Sequence, residues 1–561
     1  MKVSISWLKE LVDLKVSIEE VVKLLPLRTI AIKEVTQDYI EMDMKGYNRA
    51  DLLSIRGVAQ EVAAITGSEL AFKDPEKPEF VWNKHSLPLG QDKLPNTPVQ
   101  IMEPSLAEAQ CVAKIEGLTF GKSSEAWVKR LESSGMRSVN NITDVTNLIM
   151  LEYGQPLHSF DAKQVENETI NVRHATEGEE ITTLDHKLRK LTKDDIVLAD
   201  TKKALDVAGV MGGLDSEVNE NTTSILLSAS LFNPQMVRKT SQRLGLSSEA
   251  SKRFYHGLTK TRLLQALNAA IKMYQELGGK LTTATLVGNF EDKTRKVTLT
   301  KKKLDELIGV DIPRDKVESY LKSLGFDLET QGDSWEITVP YFRLDIELEE
   351  DLVEEVVRMY GYEKIPAEKV PESKTLQDES PIFKKIYDFK TKLVELGLTE
   401  VQTYSFYSTQ VLNALGFNDS NFKVLVKLEN PMSAETQYLR MNLWPNLLEV
   451  VDKNLRQGFK DIAVFEIGKV FNNVSGQPKE EWRLTVALMN NTDNPLAELS
   501  AITTKLSLKF KESKPQAEGV YLFHPTRFLQ VGEIGGLAEV HLRVLNELGI
   551  EKRVAILEIQ L

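Results

Sequence analysis

Residues 339–366 read VPYFRLDIELEEDLVEEVVRMYGYEKIP, the end of a strand followed by a strongly acidic helical pattern. Seven of the eleven residues from Asp345 to Glu355 are acidic. At 100° per residue Leu348, Leu352 and Val356 fall on one side of a helix, and Asp351, Glu354 and Glu355 on another. Carboxylates at i, i+3 and i+4 can converge on one hard cation, and magnesium takes oxygen ligands while keeping some of its water. A solvated helix face has the same spacing. Crowded like charges nevertheless repel at helical spacing unless something neutralises them.

Working outward, the segment before this stretch carries Lys293, Arg295, Lys296 and Lys301–Lys303, two short helical patterns and the strand SWEITVP. Its apolar positions repeat those of the N-terminus. Leu8, Leu11, Val12, Val21, Leu24 and Leu25 match Leu304, Leu307, Ile308, Val317, Tyr320 and Leu321 at a constant spacing of 296 residues. The pattern predicts two similar small helical modules; chance alignment of two amphipathic helices gives the same signal. In the first module Ser17 and Glu20 form a capping box, and GVAQEVAAITG is a helix stopped by Gly67.

The remaining boundaries follow from composition. Pro75, Pro78, Pro88, Pro95, Pro98 and Pro104 mark residues 75–104 as a linker after an N-terminal module at 1–74. Residues 105–290 read as short strands separated by turns, then the amphipathic helix LTKTRLLQALNAAIKMYQELGG. The small unit at 291–367 follows. Residues 368–380 form a second linker, and 381–561 read as a final domain opening with IFKKIYDFKTKLVELG and continuing through strands such as AVFEIGKVF. The fold class is α+β, multidomain.

A chain of 561 residues is long enough for several cores. With 70 Lys and Arg against 82 Asp and Glu the net charge is −12, which disfavours whole-surface attraction to a polyanion. One cysteine, Cys111, excludes an internal disulfide and a cysteine-cluster zinc site. No run approaches the ~20 apolar residues that span a bilayer, so a cytoplasmic protein without a membrane partner is expected.

The short motifs are individually weak. GLTFGKSS at 117–124 has three residues where a phosphate loop needs four between its glycines, so the cradle of amides cannot form. The glycines of VGEIGGLAEVHLR suit simple turns. The seven histidines show no zinc spacing. His158 in LEYGQPLHSFD, DVTN at 144–147 and AGVMGG at 208–213 offer an imidazole, a hydroxyl, an amide and close-approach glycines to a ligand; ordinary turns also account for the last two, and a lone histidine is more often a surface or satisfied residue than a catalytic one.

Taken together, RSVNNITDVTNLIMLEYGQPLHSFD (137–161), DVAGVMGGLDSEV (206–218), RLGLSSEASKRF (243–254), residues 339–366 and NPMSAETQYLRMNLWPNLLEVVDKNLRQGFKDIAVFEIGKVF (430–471) resemble the β subunit of bacterial-type phenylalanyl-tRNA synthetase, collinearly over nearly the whole chain. The resemblance implies an α₂β₂ ligase that joins phenylalanine to tRNA(Phe) using ATP and magnesium, with the charging site and its ATP in the α subunit. It implies small DNA-binding-like helical modules, a B3/B4 editing-type domain and a final antiparallel-sheet domain that is a degenerate class II synthetase core. There VFEIG stands where an active relative would carry an ATP-binding arginine. The family's magnesium site, shared with α, maps onto Asp345, Asp351, Glu354 and Glu355. Its editing pocket, which hydrolyses mischarged Tyr-tRNA, maps onto Thr146, Asn147, His158, Gly209, Gly212, Ser228, Ser248 and Ala250.

The chain also departs from that family. Ser228 stands where a glutamate is typical, and a neutral hydroxyl is a weaker partner for a phenol than a charged carboxylate. Leu214 replaces an acid after the double glycine, and RFYHG replaces RFERG. Set against that family, a compact form is expected: IAIKEVTQDYIEMDMKGYNRAD runs straight on where an OB-like domain would be inserted, and no C-terminal anticodon-binding domain is expected after VAILEIQL. The N-terminal module, the basic segment 293–303 and the α subunit are therefore expected to carry most tRNA contact. A free-standing tRNA deacylase and a noncatalytic scaffold are the competing functions.

Overall fold

The computed structural model describes residues 1–72, 97–367, 369, 380–417, 422–490, 494–511, 522–531 and 535–561. The predicted linkers lie mostly outside these residues. The chain is a mixed helix-and-sheet multidomain protein with two compact units, Met1–Lys369 and Val370–Leu561.

The first unit opens with β1 (Lys2–Ser4), α1 (Ile5–Leu11) and α2 (Ile18–Arg28). Ser4 and Ser17 are the N-caps, accepting from the backbone amides of Trp7 and Glu20 and so satisfying otherwise orphaned donors. A hairpin follows, β2 (Ile32–Val35) and β3 (Tyr39–Met42), giving a sheet of order β1-β3-β2. The chain then reaches α3 (Ile55–Thr66) with no domain inserted.

The middle region holds β4 (Val99–Ile101), β5 (Ala107–Glu116), α4 (Asn141–Tyr153), β6 (Leu157–Asp161), β7 (Ile170–His174), β8 (Ile196–Ala199), β9 (Ala204–Val207) and β10 (Met211–Gly212). It continues with β11 (Ser224–Phe232), α5 (Glu249–His256), α6 (Lys260–Glu276) and β12 (Lys280–Gly288). An antiparallel sheet of order β12-β5-β11-β6 lies beside a five-stranded sheet of order β10-β9-β8-β7-β4, whose last pair is parallel. Strands β5 and β11 are central and mostly buried, as expected of strands covered on both faces, and the polar residues they bury include Gln110, Ser228 and Ser230. Tyr274 of α6 bonds the Ile142 carbonyl (2.9 Å) and Ser159 (3.0 Å), fastening α6 to α4 and β6.

The third part of this unit repeats the first: β13 (Arg295–Thr300), α7 (Lys301–Ile308), α8 (Arg314–Ser323), β14 (Asp327–Gln331), β15 (Ser334–Val339) and α9 (Glu349–Tyr360). The sheet order β13-β15-β14 is that of the N-terminal module, and Thr300 caps α7 as Ser4 caps α1. Leu8, Val21 and Leu25 are buried, as are Leu304, Val317 and Leu321. The modules are thus duplicates in structure. They are not purely helical, because each carries a three-stranded sheet.

The duplication extends to charge. Arg49, Asp51 and Glu61 stand 294 residues before Arg343, Asp345 and Glu355. Arg49 grips Asp51 bidentately at 2.8 and 2.7 Å and reaches Glu61 at 2.7 Å. Arg343 grips Asp345 at 2.9 and 2.7 Å and reaches Glu355 at 2.5 Å. Each glutamate is the seventh residue of its helix, α3 or α9. Arg358 joins the two clamps, donating to Glu355 at 2.9 and 2.6 Å and to Glu61 at 2.5 Å.

The second unit contains α10 (Pro381–Glu395), β16 (Thr399–Glu400), α11 (Trp444–Arg456), β17 (Ile462–Val474), β18 (Gln477–Met489), β19 (Phe510–Lys511), β20 (Phe523–Val531), β21 (Gly535–Val540) and β22 (Ala555–Gln560). Its sheet runs β16-β17-β18-β22-β21-β20-β19, antiparallel except for the edge strand β16.

Candidate functional site

In the middle region β6 and β11 pair with His158 opposite Ser228, and β9 and β10 pair with Asp206 opposite Gly212. Directly opposed residues send their side chains to the same face. Between these pairs lies a cavity of about 80 Å³, room for several waters or one small head group. His158, Asp206, Ser228 and Ser230 supply its polar atoms, and Leu198, Phe232 and Phe254 are among its apolar walls.

Gly212 sets the position of the imidazole. A Cβ there would lie 2.6 Å from His158 Cε1 and 2.9 Å from Nε2, so a side chain would push the ring away. The ring meets Phe160 edge-on with centroids 4.5 Å apart, and its Nε2 is sealed from solvent without a hydrogen-bond partner. Burial lowers its pKa to about 4, so the imidazole is neutral at pH 7. Asp206 Oδ1 is likewise buried without a partner, and burial raises its pKa to about 7. Gln110 lies behind Ser228: its Nε2 donates to Ser228 Oγ at 2.8 Å, and its Oε1 accepts from Ser230 at 2.5 Å. Ser228 is thereby fixed as an acceptor from Gln110, with its own hydroxyl hydrogen to offer.

Of the eight residues mapped onto this site from the sequence, His158, Gly209, Gly212, Ser228 and Ala250 line the cavity. Ser248 stands behind it, capping α5 through the Ser251 amide and donating to the Val210 carbonyl at 2.8 Å, which fixes the 209–210 turn to that helix. Thr146 and Asn147 do not line the cavity; Thr146 donates to the Thr143 carbonyl within α4 at 2.7 Å. In DVTN the connected residue is Asp144, which accepts from Ser123, Ser138 and the Val139 amide at 2.6, 2.5 and 2.9 Å. Asp206 was missed in the sequence. Its signal was a lone acid inside the apolar run ALDVAGV, on a strand with no surface to turn to.

The four carboxylates mapped to magnesium do not converge. Asp345 is held by Arg343, and Glu355 lies buried between Arg343 and Arg358. Burial alone would raise the Glu355 pKa, but the two guanidiniums hold it far below the ordinary carboxylate range. Asp351 folds back to accept from the Glu347 and Leu348 amides at 2.7 and 2.8 Å, capping α9, while Glu354 is exposed. Among the described residues no group of three or more His, Cys, Asp or Glu is placed to hold a metal. The residues as arranged do not fit magnesium: arginine already supplies the positive charge that the acidic pattern requires. The solvated-face reading fails equally at Glu355, which points inward.

Several cations of the basic segment are also paired. Lys296 pairs with Glu336 (2.5 Å), Lys301 with Asp305 and Asp311 (2.6 and 2.5 Å), and Lys303 with Glu350 (2.8 Å).

In the second unit the VFEIG motif on β17 is a structural clamp. Glu466 is buried and accepts from Arg440 at 2.8 Å and Thr403 at 2.7 Å. Gly468 makes room, since a Cβ there would lie 2.6 Å from Arg440 Nη2. Across the same sheet Glu558 accepts from Arg483 and Thr485, each at 2.8 Å. Arg440 and Arg483 are thus held by carboxylates of this sheet.

Three family models match the chain in sequence: a B3/4 domain at residues 107–279, a tRNA synthetase B5 domain at 297–362, and the phenylalanyl tRNA synthetase beta chain CLM domain at 365–561. The phenylalanine–tRNA ligase beta subunit of Carboxydothermus hydrogenoformans is 36% identical over 457 residues, covering 80% of this chain and 55% of the relative. Those of Syntrophus aciditrophicus and Lactococcus lactis are 33% and 36% identical, covering 91% and 79% of this chain and 66% and 54% of the relatives. The chain thus spans between about half and two thirds of the length of the relatives it matches. With the B3/4 model over the cavity, the B5 model over the second module, the beta-chain model over the sheet domain, and beta-subunit relatives matching along most of its length, the chain belongs to the bacterial-type phenylalanyl-tRNA synthetase β-subunit family.

Proposed function

We propose that the chain works as the β subunit of a phenylalanine–tRNA ligase, assembled with an α subunit that binds ATP and charges tRNA(Phe), and that its own chemistry is hydrolytic editing in the cavity of the middle region. The observation that carries the division of labour is the Arg440–Glu466 clamp. A synthetase active site must offer arginines to a triphosphate, and here a buried carboxylate of the sheet already holds one. The sheet, with its parallel edge strand, accords with a class II core kept for packing against α.

The apolar walls and polar end of the cavity suit an aminoacyl side chain. A synthetic pocket for phenylalanine rejects a ligand that only adds a hydroxyl by about a hundredfold, so a second, hydrolytic site has a physical motive. Here Phe232 and Phe254 wall the slot, Ser228 and Asp206 meet its polar end, and neutral His158 positions the ligand or a water without bringing charge into the apolar site.

The test is reconstitution. The chain with an α subunit of the same family should charge tRNA(Phe), and neither subunit should do so alone. The complex should hydrolyse Tyr-tRNA(Phe) faster than Phe-tRNA(Phe). Phenylalanine activation by the isolated chain would overturn the division of labour. Hydrolysis undiminished without α would favour a free-standing deacylase, and charging without hydrolysis would leave the cavity unused.

A further inference from the structure

Among the residues lining the cavity of the middle region, two side-chain atoms are buried without a partner, His158 Nε2 and Asp206 Oδ1. An unpaired carboxyl in an apolar wall costs stability, and nothing in the fold recovers that cost: among the described residues Asp206 forms neither an ion pair nor a side-chain hydrogen bond. Its place is not accidental. Asp206 stands opposite Gly212, the residue against which the His158 ring lies, and His158 stands opposite Ser228. The carboxyl, imidazole and hydroxyl therefore close on one small space whose other walls include Leu198, Val210 and Phe254.

An apolar slot ending in a carboxyl and a hydroxyl selects a side chain that is flat, apolar and tipped with a hydrogen-bond donor. Phenylalanine would fill the slot and leave Asp206 bare. Tyrosine would fill it and satisfy the carboxyl, and a site built to bond a hydroxyl discriminates strongly against the analogue that lacks it. We propose that Asp206 is the specificity-determining residue of this cavity, accepting the phenolic hydrogen bond of a tyrosyl group from β9 while Ser228 adds a neutral contact from β11. The proposal rests on the reading of the cavity as a hydrolytic aminoacyl site. Burial that holds the Asp206 pKa near 7 leaves both protonation states accessible at neutral pH, so the carboxyl can meet the phenol without a fixed charge stranded in the empty site.

The experiment compares wild type, Asp206→Asn and Asp206→Leu, each as the full chain with its α partner, on Tyr-tRNA(Phe) and Phe-tRNA(Phe). In Asp206→Leu the Tyr/Phe ratio of kcat/KM should fall on the order of tenfold to a hundredfold through loss of the tyrosyl reaction, while Tm rises because a buried unpaired carboxyl is gone. Asp206→Asn should lie between. An unchanged ratio overturns the assignment and leaves editing intact; a fall in Tm overturns it in favour of a structural role. If wild type hydrolyses neither substrate, editing fails on its own account, and titration of free tyrosine and free phenylalanine onto the full chain decides the role of Asp206. Preference for tyrosine, lost in Asp206→Leu, supports it; equal binding of the two, or binding of neither, overturns it.

Discussion

Arg358 Nη1 lies 2.5 Å from Glu61 Oε1, a hydrogen bond between side chains 297 residues apart that ties the third part of the first unit to its first. Both groups are buried, and around them run Asp51, Arg49, Glu355, Arg343 and Asp345 in alternating sign. Removing one charge from such a chain leaves its neighbour uncompensated in a medium that solvates it poorly. Glu61→Gln or Arg358→Met should each cost about 3–5 kcal/mol. The double variant should cost less than the two together. Urea unfolding of the three variants checks this; simple additivity would show that the contact carries no coupling.

The twin clamps give a matched comparison. Arg49→Lys and Arg343→Lys each keep the charge but lose the planar fork that holds Asp51 and Asp345 bidentately. Both should destabilise, by similar amounts of about 1–3 kcal/mol. A large loss at one and none at the other would mean that the modules do not use the motif equivalently.

Gly212→Ala tests the cavity directly. The added Cβ would fall 2.6 Å from His158 Cε1, so the imidazole must rotate out of place. Hydrolysis of Tyr-tRNA(Phe) should drop at least on the order of tenfold, while the unfolding midpoint moves little, because an off-rotamer side chain costs only about 0.5–1.5 kcal/mol. Unchanged hydrolysis would remove His158 from the site.

The pH dependence of stability has two opposed parts in this cavity. Asp206 titrates at about 7 folded and near 4 unfolded, so the folded chain holds the extra proton between these values. Its contribution is present below about pH 4 and is lost as pH rises to about 7. His158 titrates at about 4 folded and near 6.5 unfolded, so its contribution grows with pH between those values. The slopes oppose each other. Asp206→Asn leaves only the histidine part, and its Tm relative to wild type should climb from about pH 4 to about pH 7 and then level off. Parallel Tm curves would show that Asp206 is not buried in this way.

Gly468→Ala should be costly for a residue at the edge of a clamp. Its Cβ would strike Arg440 Nη2, and withdrawal of that guanidinium would strand Glu466. The expected loss is about 3–5 kcal/mol, read from the unfolding midpoint, with Glu466→Gln recovering part of it in the double variant.

How far the sequence could be read depended on whether a residue's partner lay nearby in the chain. The matches of Leu8 with Leu304 and Val21 with Val317 were visible because helical spacing is local, and the structure turns them into duplicate modules. The partners of the acidic helix are illegible in the sequence for the opposite reason. Within residues 345–355 the only charged groups are the acids, whereas Arg343 and Arg358 flank that window, and Glu61, another partner of Arg358, lies at the far end of the unit. In the cavity, the opposition of His158 to Ser228 and of Asp206 to Gly212 is a matter of strand register, which no spacing along the chain specifies. Family resemblance supplied His158 and Gly212, and it could not supply Asp206. The hairpin β2–β3 escaped notice because β2 is largely exposed and leaves no hydrophobic alternation to read.

The duplicated modules also bear on how such a chain can change. Two identical protein molecules that pair must alter both faces of their contact with every mutation, whereas two copies fused in one polypeptide can drift separately. The position of Arg358 in the second copy corresponds to Ala64 in the first, and Ala64 packs into the hydrophobic core of the second copy while Arg358 reaches back to Glu61. One copy presents a methyl group at this position and the other a guanidinium, an inequality that two identical paired molecules could not have.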